Sequence, residues 1–171
     1  MVLTHEEEKP WKTDLARKAA QRREQVAREL EDVIRKAPSF EEALRQSVEL
    51  MKRRFARFSS VTVYVADGEE LAVHMALERP QGPDRVGSAE GPLASAAQSS
   101  TPTVVSDLGA SPEWATVGLV SGSAIVAPVR TEAGLWAILE VWSDFRDAFS
   151  APDTKLLGKV AQALARKTPA A

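Results

Sequence analysis

The chain has no cysteine. That excludes disulfides, thiolate metal sites, a cysteine nucleophile and thioether-linked chromophores. Histidine is almost absent as well: there are two, His5 and His74, and tyrosine occurs once, at Tyr64. Chemistry near neutral pH would therefore have to come from carboxylates or serines. No apolar run approaches the length of a membrane span. The first ten residues are polar and acidic, unlike a signal peptide. Basic residues are not in excess either: 22 Lys and Arg stand against 24 Asp and Glu, for a formal net charge of −2. No global field then favours nucleic acid or an anionic membrane, so neither is an expected partner. A cytoplasmic location is the expectation.

Signatures of common catalytic sites are missing too. There is no Gly-x-Ser-x-Gly, Walker loop, His-Glu-x-x-His or Gly-x-Gly-x-x-Gly. No metal site is indicated and no cofactor is identified. On these grounds the expectation is that the protein is not an enzyme.

What is present reads as one domain with an appendage. The chain has 171 residues, 44% apolar and 27% charged, enough for a proper core. A helix is predicted from Thr13 or Asp14 to residue 36, because Ala, Glu, Arg, Gln and Lys dominate without Gly or Pro. Residues before it read as frayed, since Pro10 and the acidic run start a helix poorly. Ala16, Ala19, Val26, Leu30, Val33 and Ala37 follow alternating three- and four-residue spacing, with Arg23 in the same seam. Val26, Leu30 and Val33 are accordingly assigned to a dimerisation helix. Pro38 ends it.

Ser39 and Glu42 form a capping box for a second helix carrying Ala43, Leu44, Val48, Met51 and Phe55 on one side. Its last turn is basic, which suits a helix C-terminus. Residues 61–66 and 71–77 are predicted strands joined at Asp67-Gly68. They are apolar on both faces apart from Thr62, Tyr64 and His74, so the sheet is expected to be covered on both sides. Residues 78–92 hold six Pro and Gly and read as a long loop. A short helix near 92–98, a strand at 103–105 and one helical turn with Trp114 follow. Residues 123–130 and 135–142 form a second hairpin, and Ser150 with Asp153 caps a final amphipathic helix.

Several of these residues carry a family resemblance. Asp107 follows the short strand, Ser123 opens the penultimate strand and Pro128 closes it. Gly134 lies in the turn, Leu139-Glu140-Val141 in the last strand, and Phe149-Ser150 with Asp153 before the final helix. In that order they resemble the GAF family over about residues 39–166. The resemblance implies an α+β fold with a central antiparallel sheet of five or six strands. Helices would cover one face, and an irregular segment the other, enclosing a ligand. It implies the division 1–37 helical extension, 38–167 GAF domain and 168–171 tail, with pairing through terminal helices. Members binding bilins, and the free methionine sulfoxide reductases of the family, use cysteines that are missing here. Cyclic-nucleotide-binding members carry an Asn-Lys pair where this chain has Ser143-Asp144, and Asp-Glu where it has Asp153-Thr154, so that ligand is not expected.

Tyr64, His74, Asp107, Trp114 and Ser123 are the candidate ligand-binding residues. Tyr64 shares a strand face with Thr62 and Ala66, and donates to a ligand or buries its ring against the core. His74 reads as a haem or ligand contact, or as a structural histidine, the favoured role. Trp114 caps a ligand or anchors its loop. Asp107 and Ser123 contact a ligand or stabilise turns, the latter favoured. Trp136 and Trp142 alternate onto one strand face. The function these features imply is a non-catalytic sensory or regulatory module. It would bind a small molecule, self-associate as a homodimer and signal through its terminal helices to an unidentified partner protein. The alternative is a ligand-free interaction module of the same fold, and a third reading, ranked below both, is an enzyme of unfamiliar type.

Overall fold

The computed structural model describes residues 9–80 and 82–169. The chain begins with α1 (Pro10–Lys36) and α2 (Phe40–Arg54). The hairpin β1 (Ser60–Asp67) and β2 (Glu70–Leu77) follows. Next come β3 (Arg85–Gly87), α3 (Ala94–Gln98), β4 (Thr103–Val105) and two 3-10 turns, Leu108–Ala110 and Pro112–Val117. A second hairpin, β5 (Ser123–Thr131) and β6 (Gly134–Ser143), leads into α4 (Ala151–Lys167).

The six strands form one antiparallel sheet in the order β3-β2-β1-β6-β5-β4. Its two faces carry separate cores, as the doubly apolar strands require. Val61, Val63, Ile125, Leu139 and Val141 pack beneath α1, α2 and α4. Tyr64, Leu71, Ala124, Val126 and Ile138 pack beneath Leu93, Leu108, Trp114, Val117 and Leu119, all from the segment 78–122.

The apolar seam of α1 turns inward. Val26 and Leu30 are buried in the chain's own core with Ile34, against α4, and Val33 is partly buried there. They are therefore not a free dimer seam, and the second half of α1 packs into the same core as α2 and α4. Arg23, the polar residue in that seam, has its partner within the chain: its Nε donates to Asp153 Oδ1 at 2.8 Å. Trp11 and Leu15 are the large apolar residues α1 leaves exposed, at 57% and 58%.

Helix ends follow the expected chemistry with two differences. α1 starts at Pro10, because proline in the first turn loses no hydrogen bond and presets φ. At α2 only half of the capping box forms: Glu42 N donates to Ser39 Oγ at 3.1 Å, while the Glu42 carboxylate accepts from Arg45 and Gln46. At α4 both halves form, with Ser150 N donating to Asp153 Oδ2 at 2.8 Å.

Two β-bulges reverse the inward–outward alternation. In β2, Val63 pairs with Met75 but Tyr64 pairs with Val73, leaving His74 as the extra residue. In β6, Arg130 pairs with Leu135 and Val129 with Ala137, leaving Trp136 extra. Trp136 consequently packs edge-on against Phe40 on the helical face, while Trp142 lies on the opposite face, so the two do not share one. The first hairpin turn is Gly68-Glu69, one residue later than expected, with Gly68 at φ 63°. The loop 78–92 contains a strand, β3, which pairs with the start of β2.

Candidate functional site

The two central strands, β1 and β6, place polar side chains on the sheet face covered by the segment 78–122. Thr62 lies directly opposite Glu140, and Tyr64 follows on the same face. Glu140 is 2% exposed, and Tyr64 Oη donates to its Oε2 at 3.4 Å. Burial pushes the Glu140 carboxyl up to about 7; the charge of Arg79 and the Tyr64 hydrogen bond oppose this only in part. The Tyr64 hydroxyl is raised well above the usual phenol range, by burial first and then by Glu140.

Arg79 enters from the loop after β2. Its side chain is 12% exposed. Nη2 donates to the Pro83 carbonyl at 2.6 Å and Nη1 to the Gly82 carbonyl at 3.4 Å. Arg79 Nε, Thr62 Oγ1 and Ser60 Oγ are buried without a partner among the described residues. Buried polar atoms of this kind are uncommon and call for a water, ion or ligand. The loop is held tightly over this face. A Cβ on Gly82 would lie 2.5 Å from the Val117 carbonyl oxygen, so only glycine fits there.

The sequence candidates separate. Tyr64 is in the cluster, and Trp114 is buried in the cover above the same face. His74 is not: its bulge turns it to the helical side, where Nε2 stands 2.7 Å from Glu41 Oε1 on α2. Ser123 ties down the connection to α4, its Oγ donating to the Phe145 carbonyl at 2.6 Å and accepting from Ala148 N. Asp107 caps a turn, accepting from Gly109 N at 3.0 Å, with Arg146 3.5 Å away. Glu140 and Arg79 were not among the candidates. Glu140 had a signal, as the only charged residue in an otherwise apolar strand. Arg79, in a loop, had none.

A sheet between a helical layer and an irregular cover, with a polar cluster buried beneath that cover, defines an α+β domain. A family model of the GAF domain matches residues 37–166, and the chain belongs to that family. No characterised protein matches it significantly in sequence. Among solved structures, a free methionine-R-sulfoxide reductase from Neisseria meningitidis, in complex with its substrate, is similar. It is 25% identical, over 88% of this chain and 89% of that one, with a TM-score of 0.76. A putative GAF sensor protein from Burkholderia vietnamiensis is 22% identical over 87% and 94%, with a TM-score of 0.78. A type II reductase from Thermoplasma acidophilum is 20% identical over 80% and 93%, with a TM-score of 0.66.

These likenesses correct the expected function. Enzymes share this fold, and one of them is as similar as the sensor-named protein. Neither the non-catalytic sensory module nor the ligand-free interaction module stands, and the expectation that the protein is not an enzyme falls with them. Absence of familiar motifs does not exclude catalysis.

Proposed function

We propose that this GAF domain binds a small polar molecule at the Glu140 cluster and exchanges a proton with it through the Glu140 carboxyl. The observation that carries this reading is a buried carboxyl, directly opposite Thr62 and bonded by Tyr64, in a region where Thr62 Oγ1, Ser60 Oγ and Arg79 Nε are buried without partners among the described residues. Burial pushes that carboxyl up to about 7. An acid–base group works best with a pKa near the working pH. The proton leaves a Glu140 oxygen for a basic atom of the ligand, and the resulting carboxylate is faced by the Tyr64 hydroxyl and the Arg79 charge. Thr62 Oγ1 and Ser60 Oγ supply further hydrogen bonds. Sulfoxide reduction through a thiol has no nucleophile in this chain. The likeness to reductases supports the size and polarity of the ligand rather than that reaction.

Free methionine sulfoxide is a suitable probe. In an NMR titration it should shift the amides of Thr62, Tyr64 and Glu140. It should also move the Glu140 carboxyl midpoint, read by carbon-13 detection, away from about 7. Glu140→Gln should abolish the response. Shifts confined to residues outside this sheet face, or none at all, would overturn the assignment.

A further inference from the structure

A cleft lies away from the Glu140 cluster, between α4, the C-terminal half of β5 and the turn at 100–102. Its volume is about 660 Å³, within the range of small-molecule sites. Every charged residue lining it is a cation: Arg130, Lys155, Lys159 and Arg166. The whole chain carries slightly more acid than base, so this local excess is not inherited from composition.

The cations are arranged at a cost. Lys155 and Lys159 sit one turn apart on α4, and like charges at that spacing destabilise a helix. Arg166 comes seven residues later on the same face. Lys159 and Arg166 form no ion pair among the described residues, and Lys155 approaches Glu24 only at 4.0 Å. Arg130 is held rigidly: Nε donates to the Ser99 carbonyl at 2.7 Å and Nη2 to the Ala97 carbonyl. These neutral acceptors fix the guanidinium without cancelling its charge. Its Nη1 has no partner among the described residues. Pro102 and Pro128 add an apolar wall beside the cations.

We propose that this cleft binds a small organic polyphosphate, an anion of two or three phosphates attached to a flat, weakly polar ring. The phosphates would meet Lys155, Lys159 and Arg166 around a preset Arg130, as charge-assisted hydrogen bonds require. The ring would lie on the proline wall. This site is separate from the Glu140 cluster and stands without it.

Calorimetry at low salt with magnesium-free ATP, tripolyphosphate and adenosine tests the proposal. ATP should bind one per chain, more tightly than tripolyphosphate, and adenosine should not bind. Lys159→Glu combined with Arg166→Glu should weaken ATP by about tenfold or more. Lys12→Glu with Arg53→Glu, which changes the net charge equally, should leave it unchanged. Lys159→Gln with Arg166→Gln, checked for an unchanged melting temperature, should weaken ATP without reversing charge. An absence of ATP binding, an equal loss in the control pair, or tighter binding of an acidic peptide or an oligonucleotide than of ATP would overturn it.

Discussion

Arg23 on α1 and Asp153 on α4 meet at 2.8 Å, and the same carboxylate caps its own helix through Ser150. Asp153 is buried while Arg23 is mostly so. Removing the guanidinium leaves a buried carboxylate with only its cap for company. Arg23→Ala should lower stability by about 2 kcal/mol, less than a fully buried pair because water reaches the arginine. Urea denaturation measures it, and an unchanged midpoint would show the pair to be incidental.

Glu140 gives stability a definite pH slope. Folded, the carboxyl keeps its proton up to about 7, whereas the ordinary glutamate value is 4.5. Between those values the native state binds more protons than the unfolded one. Stability is therefore full below the window and falls as pH rises through it, by roughly 3 kcal/mol. Glu140→Gln should remove that slope, so the variant should gain on the wild type as pH rises from about 4.5 to about 7 and gain no more above it. Chemical denaturation at pH 5 and pH 8 gives the comparison.

Leu30 and Trp11 lie on one helix but in opposite surroundings. Leu30→Ala should cost about 3 kcal/mol, because the side chain is fully buried. Trp11→Ala should change the monomer's stability by under about 0.5 kcal/mol. Equal effects in thermal unfolding would contradict the inward orientation of the seam.

Gly122 has φ 89°, and a Cβ there would sit 2.0 Å from the Ser143 carbonyl oxygen. Gly122→Ala should destabilise the fold by more than about 2 kcal/mol, since strain and overlap add. A melting temperature within error of wild type would refute the close approach.

His74→Ala should leave probe binding at the Glu140 cluster intact, because the imidazole faces α2. A calorimetric loss of affinity for methionine sulfoxide beyond about twofold, roughly 0.4 kcal/mol, would put His74 back in the site.

The family and the element order were legible because they rest on periodicity, turn residues and caps. The seam of α1 was legible as apolar, but not which helix it met; Arg23 was the clue, since a charge in a seam needs an acid opposite. The faces on which His74 and Trp136 lie were not legible, for one reason. A bulge adds a single residue and reverses which side chains face inward, and nothing in an apolar strand announces it. Glu140 was visible as a lone acid among apolar neighbours, yet Arg79, whose charge acts on it, comes from a loop whose path the sequence does not reveal. Asp107 and Ser123 turned out to stabilise local structure, the role short polar side chains fill beside turns.

The central strand pair joins residues 60–65 to residues 137–142. Each outer hairpin can close locally, with little chain entropy to lose, but this pairing must bring together segments far apart in sequence. Thr62 and Glu140 become neighbours only at that step. During synthesis the buried polar cluster around Glu140 is therefore not assembled until β6 has emerged and docked, and neither hairpin alone contains it.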